Sequence, residues 1–336
     1  MMYFLLLALC TIHSIMKDRL DVMNVPYCDS VGFRKTEFSY VYDIYKKHNP
    51  NPTKFVSNDT DFSPLPYQLK QNMMWNHRSV CSNDTFMLIM YYTYKDEYNV
   101  RSMIRQYVKQ GMVVGGKRLN YAIVVAAGEN ETAVLVQLQK ENDVHHDLLV
   151  SIHEDIYAYW PITVLDSFMW ARDNCKQASY ISKIDGDTWV HLGNLVRLLV
   201  SAPRKQYYGG RPVTRFYKRG RKYKGIRFIP NDYDEREWSF NLGACCVFSK
   251  DVVPYLNIGS QFMDLLFPAC EDVLVGEILH RGGISPHEMP KQYIWILFHE
   301  HLRNMSIPRN ALFVHVRHDF NYLKKFYAKY AKVYKV

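Results

Sequence analysis

The chain has 336 residues, 48% hydrophobic and 22% charged. It can therefore build a large core, and composition excludes disorder throughout, collagen and coiled coil. The net charge of +9 is local: ten basic and no acidic residues stand between Arg204 and Arg227, leaving 9 − 10 = −1 for the remainder. That distribution argues against a nucleic-acid partner, whose binder would spread its positive charge.

In chain order, the first segment is apolar from Met1 to Met16 and is followed by Lys17, Asp18 and Arg19. It is shorter than the roughly 20 residues a membrane span needs, and it suits a signal peptide or a short signal-anchor. Residues 17–84 are polar and weakly periodic, and read as a stem with an irregular lead-in. Four N-x-[S/T] sequons, at Asn58, Asn83, Asn130 and Asn304, favour a secretory lumen when they follow a targeting segment. Six cysteines lie beyond the apolar segment: Cys28, Cys81, Cys175, Cys245, Cys246 and Cys270. Their pairing is open, and no C-x-x-C pair points to a zinc ribbon.

The periodic domain, 85–336, begins with the strand-length apolar run Phe86–Thr93. Residues 97–110 have helical character, and strands are expected at 121–127 and 147–152. Pro161 opens a helix through Cys175, and 179–184 is the next strand. Strands alternating with helices predict an α/β sheet, largely parallel. The basic segment 204–227, rich in Gly and aromatics, reads as a long loop or hairpin. It is either a solvated surface or a site for an anionic partner such as a nucleotide diphosphate, an acidic glycan or a membrane. A strand at 244–249, a helix at 271–281 and a closing helix at 321–333 complete the pattern.

Three sites carry possible chemistry. Asp185-Gly186-Asp187 follows a buried strand, where open α/β sheets form their ligand crevice. Two carboxylates there suit Mn²⁺ or Mg²⁺, although Asp-x-Asp also fits a plain turn. Glu271 and Asp272 open an apolar helix, as dipole partners or as a general base facing the cleft. His315 alternates with apolar residues, the usual setting of a core histidine.

Taken together, these segments resemble the β1,3-galactosyltransferase family, which also contains β1,3-N-acetylglucosaminyltransferases and is distantly akin to the fringe enzymes. The matches run in order over residues 86–316. Arg101-Ser-Met-Ile-Arg105 matches R-x-x-I-R, and Lys183-Ile-Asp185-Gly-Asp187-Thr-Trp-Val190 matches K-x-D-D-D-x-F-V. Trp170 and Cys175 stand upstream of the latter, Gly243–Ser249 matches a Gly-rich strand, and Glu271-Asp-Val-Leu-Val-Gly276 matches E-D-V-x-V-G intact. The resemblance implies a GT-A fold: a Rossmann-type mixed, largely parallel sheet flanked by helices in a single catalytic domain. It implies a type II Golgi membrane protein, anchored by its N-terminal segment, with the catalytic domain in the lumen. The implied activity is inverting, Mn²⁺-dependent transfer from a UDP-sugar to a glycan acceptor on glycoprotein or glycolipid, in β1,3 linkage. The donor is UDP-galactose first and UDP-GlcNAc second. Carried over residue by residue, Asp187 and His315 are metal ligands and Asp185 faces the donor. Arg101, Arg105 and Lys183 join Asp185 on the donor, Asp272 is the general base, and Glu271 touches the acceptor.

The chain departs from the family at Gly186, where the middle Asp is missing, and at Tyr107-Val108, where Thr-Trp is usual. Pro161-Ile-Thr163-Val-Leu165 stands for Asn-Leu-Thr-x-Lys. These departures leave open a second reading, an inactive relative that binds glycan or assists a partner enzyme. Because a middle side chain need not reach the metal, Gly186→Asp is expected to be tolerated.

Overall fold

The computed structural model describes residues 73–74, 80–155, 159–216, 237–261, 271–290, 294–296, 310–316 and 320–330. The N-terminal apolar segment, the sequons at Asn58 and Asn304, Cys10, Cys28, Cys270 and the basic stretch beyond Phe216 lie outside these residues.

The longest apolar runs become the centre of the sheet. β2 (Thr85–Tyr92) is buried along its whole length, as a strand covered on both faces must be. It pairs in parallel with β4 (Lys117–Ala126) on one side and β6 (Tyr180–Asp185) on the other. β5 (Leu148–Ser151) adds to β4, again in parallel. The sheet starts earlier than residue 85, because β1 (Met73–Met74) pairs antiparallel with β5. Beyond β6 come antiparallel β11 (Cys245–Ser249), then β8 (Tyr208–Gly210), then β12 (His287–Glu288). The short β3 (Met112–Val114) folds back on β4 as a hairpin. The result is the mixed, largely parallel sheet expected, with strand order β1-β5-β4-β2-β6-β11-β8-β12.

Helices cover the sheet: α1 (Tyr98–Tyr107), α2 (Thr132–His145), α3 (Trp160–Asn174), α4 (Leu192–Ser201), α5 (Val253–Gln261) and α6 (Glu271–Arg281). Pro161 sits in the first turn of α3, where its missing N–H costs nothing. A small three-stranded sheet joins β13 (Ile294–Ile296), β14 (Phe313–His315) and β7 (Thr188–Val190). α7 (Phe320–Tyr330) closes the chain over it. The basic segment is only partly the loop expected. Tyr208–Gly210 is a buried strand of the main sheet, and Arg204 lies over the Phe86 and Tyr180 rings at 4.9 and 5.1 Å. Beyond it, β9 (Pro212–Phe216) pairs with β10 (Glu237–Asn241) as a hairpin.

Among the described cysteines, Cys81 and Cys175 form a disulfide that ties the lead-in to the end of α3. Cys245 and Cys246 are free and buried in β11. On α1, Arg101 and Arg105 lie one turn apart on the buried face. Arg101 grips Glu141 of α2 through two bonds of 2.8 Å. Arg105 grips Asp147 through two more at 2.8 Å and reaches Glu141 at 2.7 Å. Tyr121 donates to the same Asp147 at 2.8 Å.

The turn between β6 and β7 is held by Gly186, whose N–H donates to the Tyr92 carbonyl at 2.7 Å. A Cβ at this position would stand 2.9 Å from that carbonyl oxygen and 2.9 Å from Thr93 Cγ2. The expectation that Gly186→Asp is tolerated is therefore overturned: β2 occupies the space.

Two outcomes follow. Glu141→Ala leaves two buried guanidinium groups short of charge, and should cost about 3–5 kcal/mol in urea denaturation. Gly186→Ala should cost about 1–3 kcal/mol through overpacking, and Gly186→Asp more; unchanged thermal midpoints in both would show that the turn has room.

Candidate active site

The cleft opens at the carboxyl ends of β2 and β6, the crevice position of open α/β sheets. Its volume is about 270 Å³, and its lining includes Tyr92, Tyr94, Trp160, Lys183, Asp185, Asp187, Glu271, Asp272 and His315. Of the residues singled out in the sequence, Lys183, Asp185, Asp187, Glu271, Asp272 and His315 converge here. Arg101 and Arg105 do not line this cleft.

Alternation along β6 turns Lys183 and Asp185 to one face. Lys183 is buried, and its ammonium satisfies all three of its donors. It meets Asp185 Oδ1 at 2.5 Å, the Gly243 carbonyl at 2.8 Å and Glu271 Oε1 at 2.9 Å. The resemblance places Lys183 on the donor; it lines the cleft with its charge shared between two carboxylates. The approach needs a glycine at 243, because a Cβ there would sit 2.6 Å from Glu271 Oε1 and 2.9 Å from Lys183 Nζ.

Across the Gly186 turn, Asp187 is buried and faces His315. β14 runs antiparallel to β7 with His315 opposite Thr188, and the Val316 N–H donates to the Asp187 carbonyl at 3.0 Å. This register brings His315 Nε2 to 3.2 Å from Asp187 Oδ1. Ligand atoms of Asp185, Asp187 and His315 all lie within 4.8 Å of one another. Two carboxylates and one imbedded imidazole form a hard oxygen-rich set with one borderline nitrogen, which fits Mn²⁺ or Mg²⁺.

Glu271 and Asp272 occupy the first turn of α6. Asp272 accepts from the Val273 N–H at 2.8 Å and from the Gly243 N–H at 3.3 Å. The two acids differ in their surroundings. Burial raises Asp272, the adjacent Glu271 charge raises it further, and Lys183 and the two N–H groups only partly offset this, so it rises to about 7. Burial also pushes Glu271 upward, but the touching Lys183 ammonium more than compensates and holds it below its ordinary value. Asp185 is raised, chiefly by burial and despite Lys183. Neighbouring acids pushed in opposite directions are a general means of separating a base from a permanent anion.

Arg101 and Arg105 act at one remove. Besides Glu141, Arg101 donates to the Tyr94 carbonyl at 2.7 Å and the Lys95 carbonyl at 3.2 Å, which fixes the loop leaving β2. The resemblance places both on the donor; in the fold both guanidinium groups are engaged in an ion-pair network with Glu141 and Asp147.

The aromatic wall was missed in the sequence. Trp160 meets Tyr92 and Tyr94 edge-on, with ring centroids at 6.1 and 5.4 Å. Tyr92 and Tyr94 stand at the end of the first long apolar strand, and that position was their available signal. Trp160 had none, since an aromatic before a helix-opening proline is ordinary.

A family model described as "Galactosyltransferase" matches residues 100–290, more than half of the chain. A curated relative, beta-1,3-galactosyltransferase 1 of Mus musculus, is 28% identical over 215 residues, 61% of this chain. The match spans 63% of that enzyme's length, less than two thirds. The lactosylceramide 1,3-N-acetyl-beta-D-glucosaminyltransferase A of Danio rerio is 26% identical over 305 residues, covering 84% of this chain and 75% of that enzyme. The motifs that converge at the cleft and the family match over the same stretch agree: the chain belongs to the galactosyltransferase family.

Proposed function

We propose that this protein is an inverting, divalent-cation-dependent glycosyltransferase. It moves a hexose, galactose before N-acetylglucosamine, from a UDP-sugar to a hydroxyl of a glycan acceptor in β1,3 linkage. The observation that carries the reading is the meeting, in one cleft, of an Asp-Asp-His donor set with an aspartate on a helix N-terminus raised to about 7.

Asp185, Asp187 and His315 would hold the cation, Mn²⁺ by family kinship. When bound, it supplies positive charge for the diphosphate of the donor. Asp272 takes the proton of the acceptor hydroxyl as that oxygen attacks C1 of the donor sugar. The C1–O bond to UDP breaks on the opposite side, and UDP leaves with the electron pair. One base and no covalent enzyme intermediate give inversion. Glu271, pinned by Lys183, keeps its charge and faces the acceptor side as a hydrogen-bond acceptor. Two carboxylates held on one buried ammonium, with Asp272 beside them, are costly, which speaks for an active enzyme over an inactive relative.

By the same kinship the protein resides in the Golgi membrane as a single-pass type II protein with this domain in the lumen. Among the described residues no helix is long and apolar enough to cross a membrane. Asn83 and Asn130 are exposed in turns, accessible to N-glycosylation.

Three measurements test the proposal. With purified protein, Mn²⁺ and a UDP-sugar, Asp272→Asn should lower kcat by a factor on the order of 10²–10⁴ with donor KM nearly unchanged. Glu271→Gln should act on acceptor KM and on stability; full activity in both variants would place the base elsewhere. The base must be ionised to work, so kcat/KM should fall as pH drops through the Asp272 value of about 7. Cation binding nearby moves this limb lower, and a rate independent of pH between 5 and 8 would rule out Asp272 as the titrating group. An endoglycosidase should sharpen and speed the band of the protein from eukaryotic cells; the absence of any shift would oppose a luminal location.

A further inference from the structure

A second cavity lies on the other side of the loop that leaves β2. It runs between α1 and α2 and, at about 420 Å³, is larger than the cleft. The buried members of its lining are Arg101, Leu138 and Glu141, with the Arg101–Glu141 pair closed at 2.8 Å. Around them stand Asp96, Tyr98, Gln137, Lys140 and Val144. Tyr98 and Val144 are 51% and 72% exposed, two of the five large hydrophobic side chains that are exposed among the described residues. Single exposed apolar residues are ordinary, but two of them around one cavity mark a binding surface.

The groove is continuous with the cleft. Tyr94 and Glu97 line the cleft, whereas Lys95, Asp96 and Tyr98 line the groove. The turn between them is closed by the Glu97 N–H on the Tyr94 carbonyl at 3.1 Å and by the Tyr94 N–H on Glu97 Oε2 at 2.9 Å. Arg101 holds the same Tyr94 carbonyl at 2.7 Å. A ligand that outgrows the cleft across this rigid turn meets the groove next. The lining selects its class. Arg101 is engaged by Glu141 and Lys95 by Glu131, which leaves Asp96, Lys140 and His145, a mixed set without the cationic surplus that a phosphate or an acidic sugar needs. The same polar groups interrupt the apolar surface that a lipid chain needs. A neutral sugar fits both parts: its C–H face packs on an exposed aromatic ring, and its hydroxyls donate to a carboxylate and accept from an amide or ammonium.

We propose that the α1–α2 groove is a second sugar site, which holds inner units of the acceptor glycan on Tyr98 while the terminal unit lies in the cleft. The inference rests on the glycosyl transfer proposed above.

The test uses the full chain with Mn²⁺ and the UDP-sugar it transfers best, on two acceptors that end in the same sugar: an aryl monosaccharide and a neutral tetrasaccharide. The parent should show the lower KM for the tetrasaccharide. Tyr98→Ala should raise that KM about tenfold, the scale for losing an aromatic anchor, while kcat and the monosaccharide KM stay unchanged. Tyr98→Phe keeps the ring and should behave as the parent. Val200→Ala removes an exposed apolar side chain of α4 outside the groove and should change nothing. Calorimetry of the tetrasaccharide without donor should show the same loss of affinity in Tyr98→Ala. A parent that transfers to both acceptors with equal KM overturns the groove as a sugar site and leaves the glycosyl transfer standing. So does a Tyr98→Ala variant that raises both KM values alike, since its effect then belongs to the turn. A parent that transfers to neither acceptor and hydrolyses no UDP-sugar overturns the activity itself, and the role of the groove with it.

Discussion

One buried ammonium organises the cleft. Lys183 is enclosed between Asp185, Glu271 and the Gly243 carbonyl, and each of these comes from a different part of the chain. Without that charge, two carboxylates would face each other in a poorly solvated space, and both would be driven toward protonation. With it, the end of β6, the strand connection before β11 and the first turn of α6 are drawn to a single point. The ion pair also explains why position 243 carries no side chain, since a methyl group there would collide with both members of the pair.

The same ammonium divides the labour of the two acids on α6. It touches Glu271 but not Asp272, so Glu271 is held ionised while Asp272 is left to burial and to its neighbour's negative charge. An acid that titrates near neutrality can take a proton and give it up again; one pinned to an ammonium cannot do so cheaply. Backbone N–H groups of Val273 and Gly243 aim both oxygens of Asp272, so its orientation survives a change of protonation. The chemical difference between adjacent residues arises from one 2.9 Å contact and not from the helix dipole, which both share.

Much of this was legible in the sequence, and the part that was not has physical reasons. β2 and β11 are nearly continuous apolar runs, and burial on both faces leaves that mark, while β6 is buried but carries Ser182 and Lys183 among its apolar residues. α2 left no mark, because only Leu138, Glu141 and Asn142 are buried along its 14 residues, and two of those are polar. α4 was not expected either, although its buried Leu192, Leu195, Val196 and Leu199 form a helical stripe. Asp185, Asp187, Glu271 and Asp272 were readable as paired acids at element ends. Their union with His315 came from the family resemblance alone and not from the residues' pattern, since it depends on the register of β14 against β7, a pairing across more than a hundred residues. The intolerance at Gly186 was hidden for a related reason: what fills the space is the backbone of β2, remote in sequence.

The arginines of α1 show how a family motif can be essential to a site it does not enter. The family resemblance places Arg101 and Arg105 on the donor. In the fold they are buried, each forked onto a carboxylate of the α2–β5 region. The remaining donors of Arg101 go to the Tyr94 and Lys95 carbonyls, which holds the loop that carries Tyr94 and Glu97 along the cleft wall. A planar guanidinium can serve carboxylate and carbonyl at once, which the point charge of a lysine cannot. The motif therefore constrains the cleft wall through the geometry of a loop, where the Tyr94 and Trp160 rings meet at 5.4 Å. The site is built outward from buried charge: Arg101 holds the loop after β2, and Lys183 holds the end of β6 to the first turn of α6.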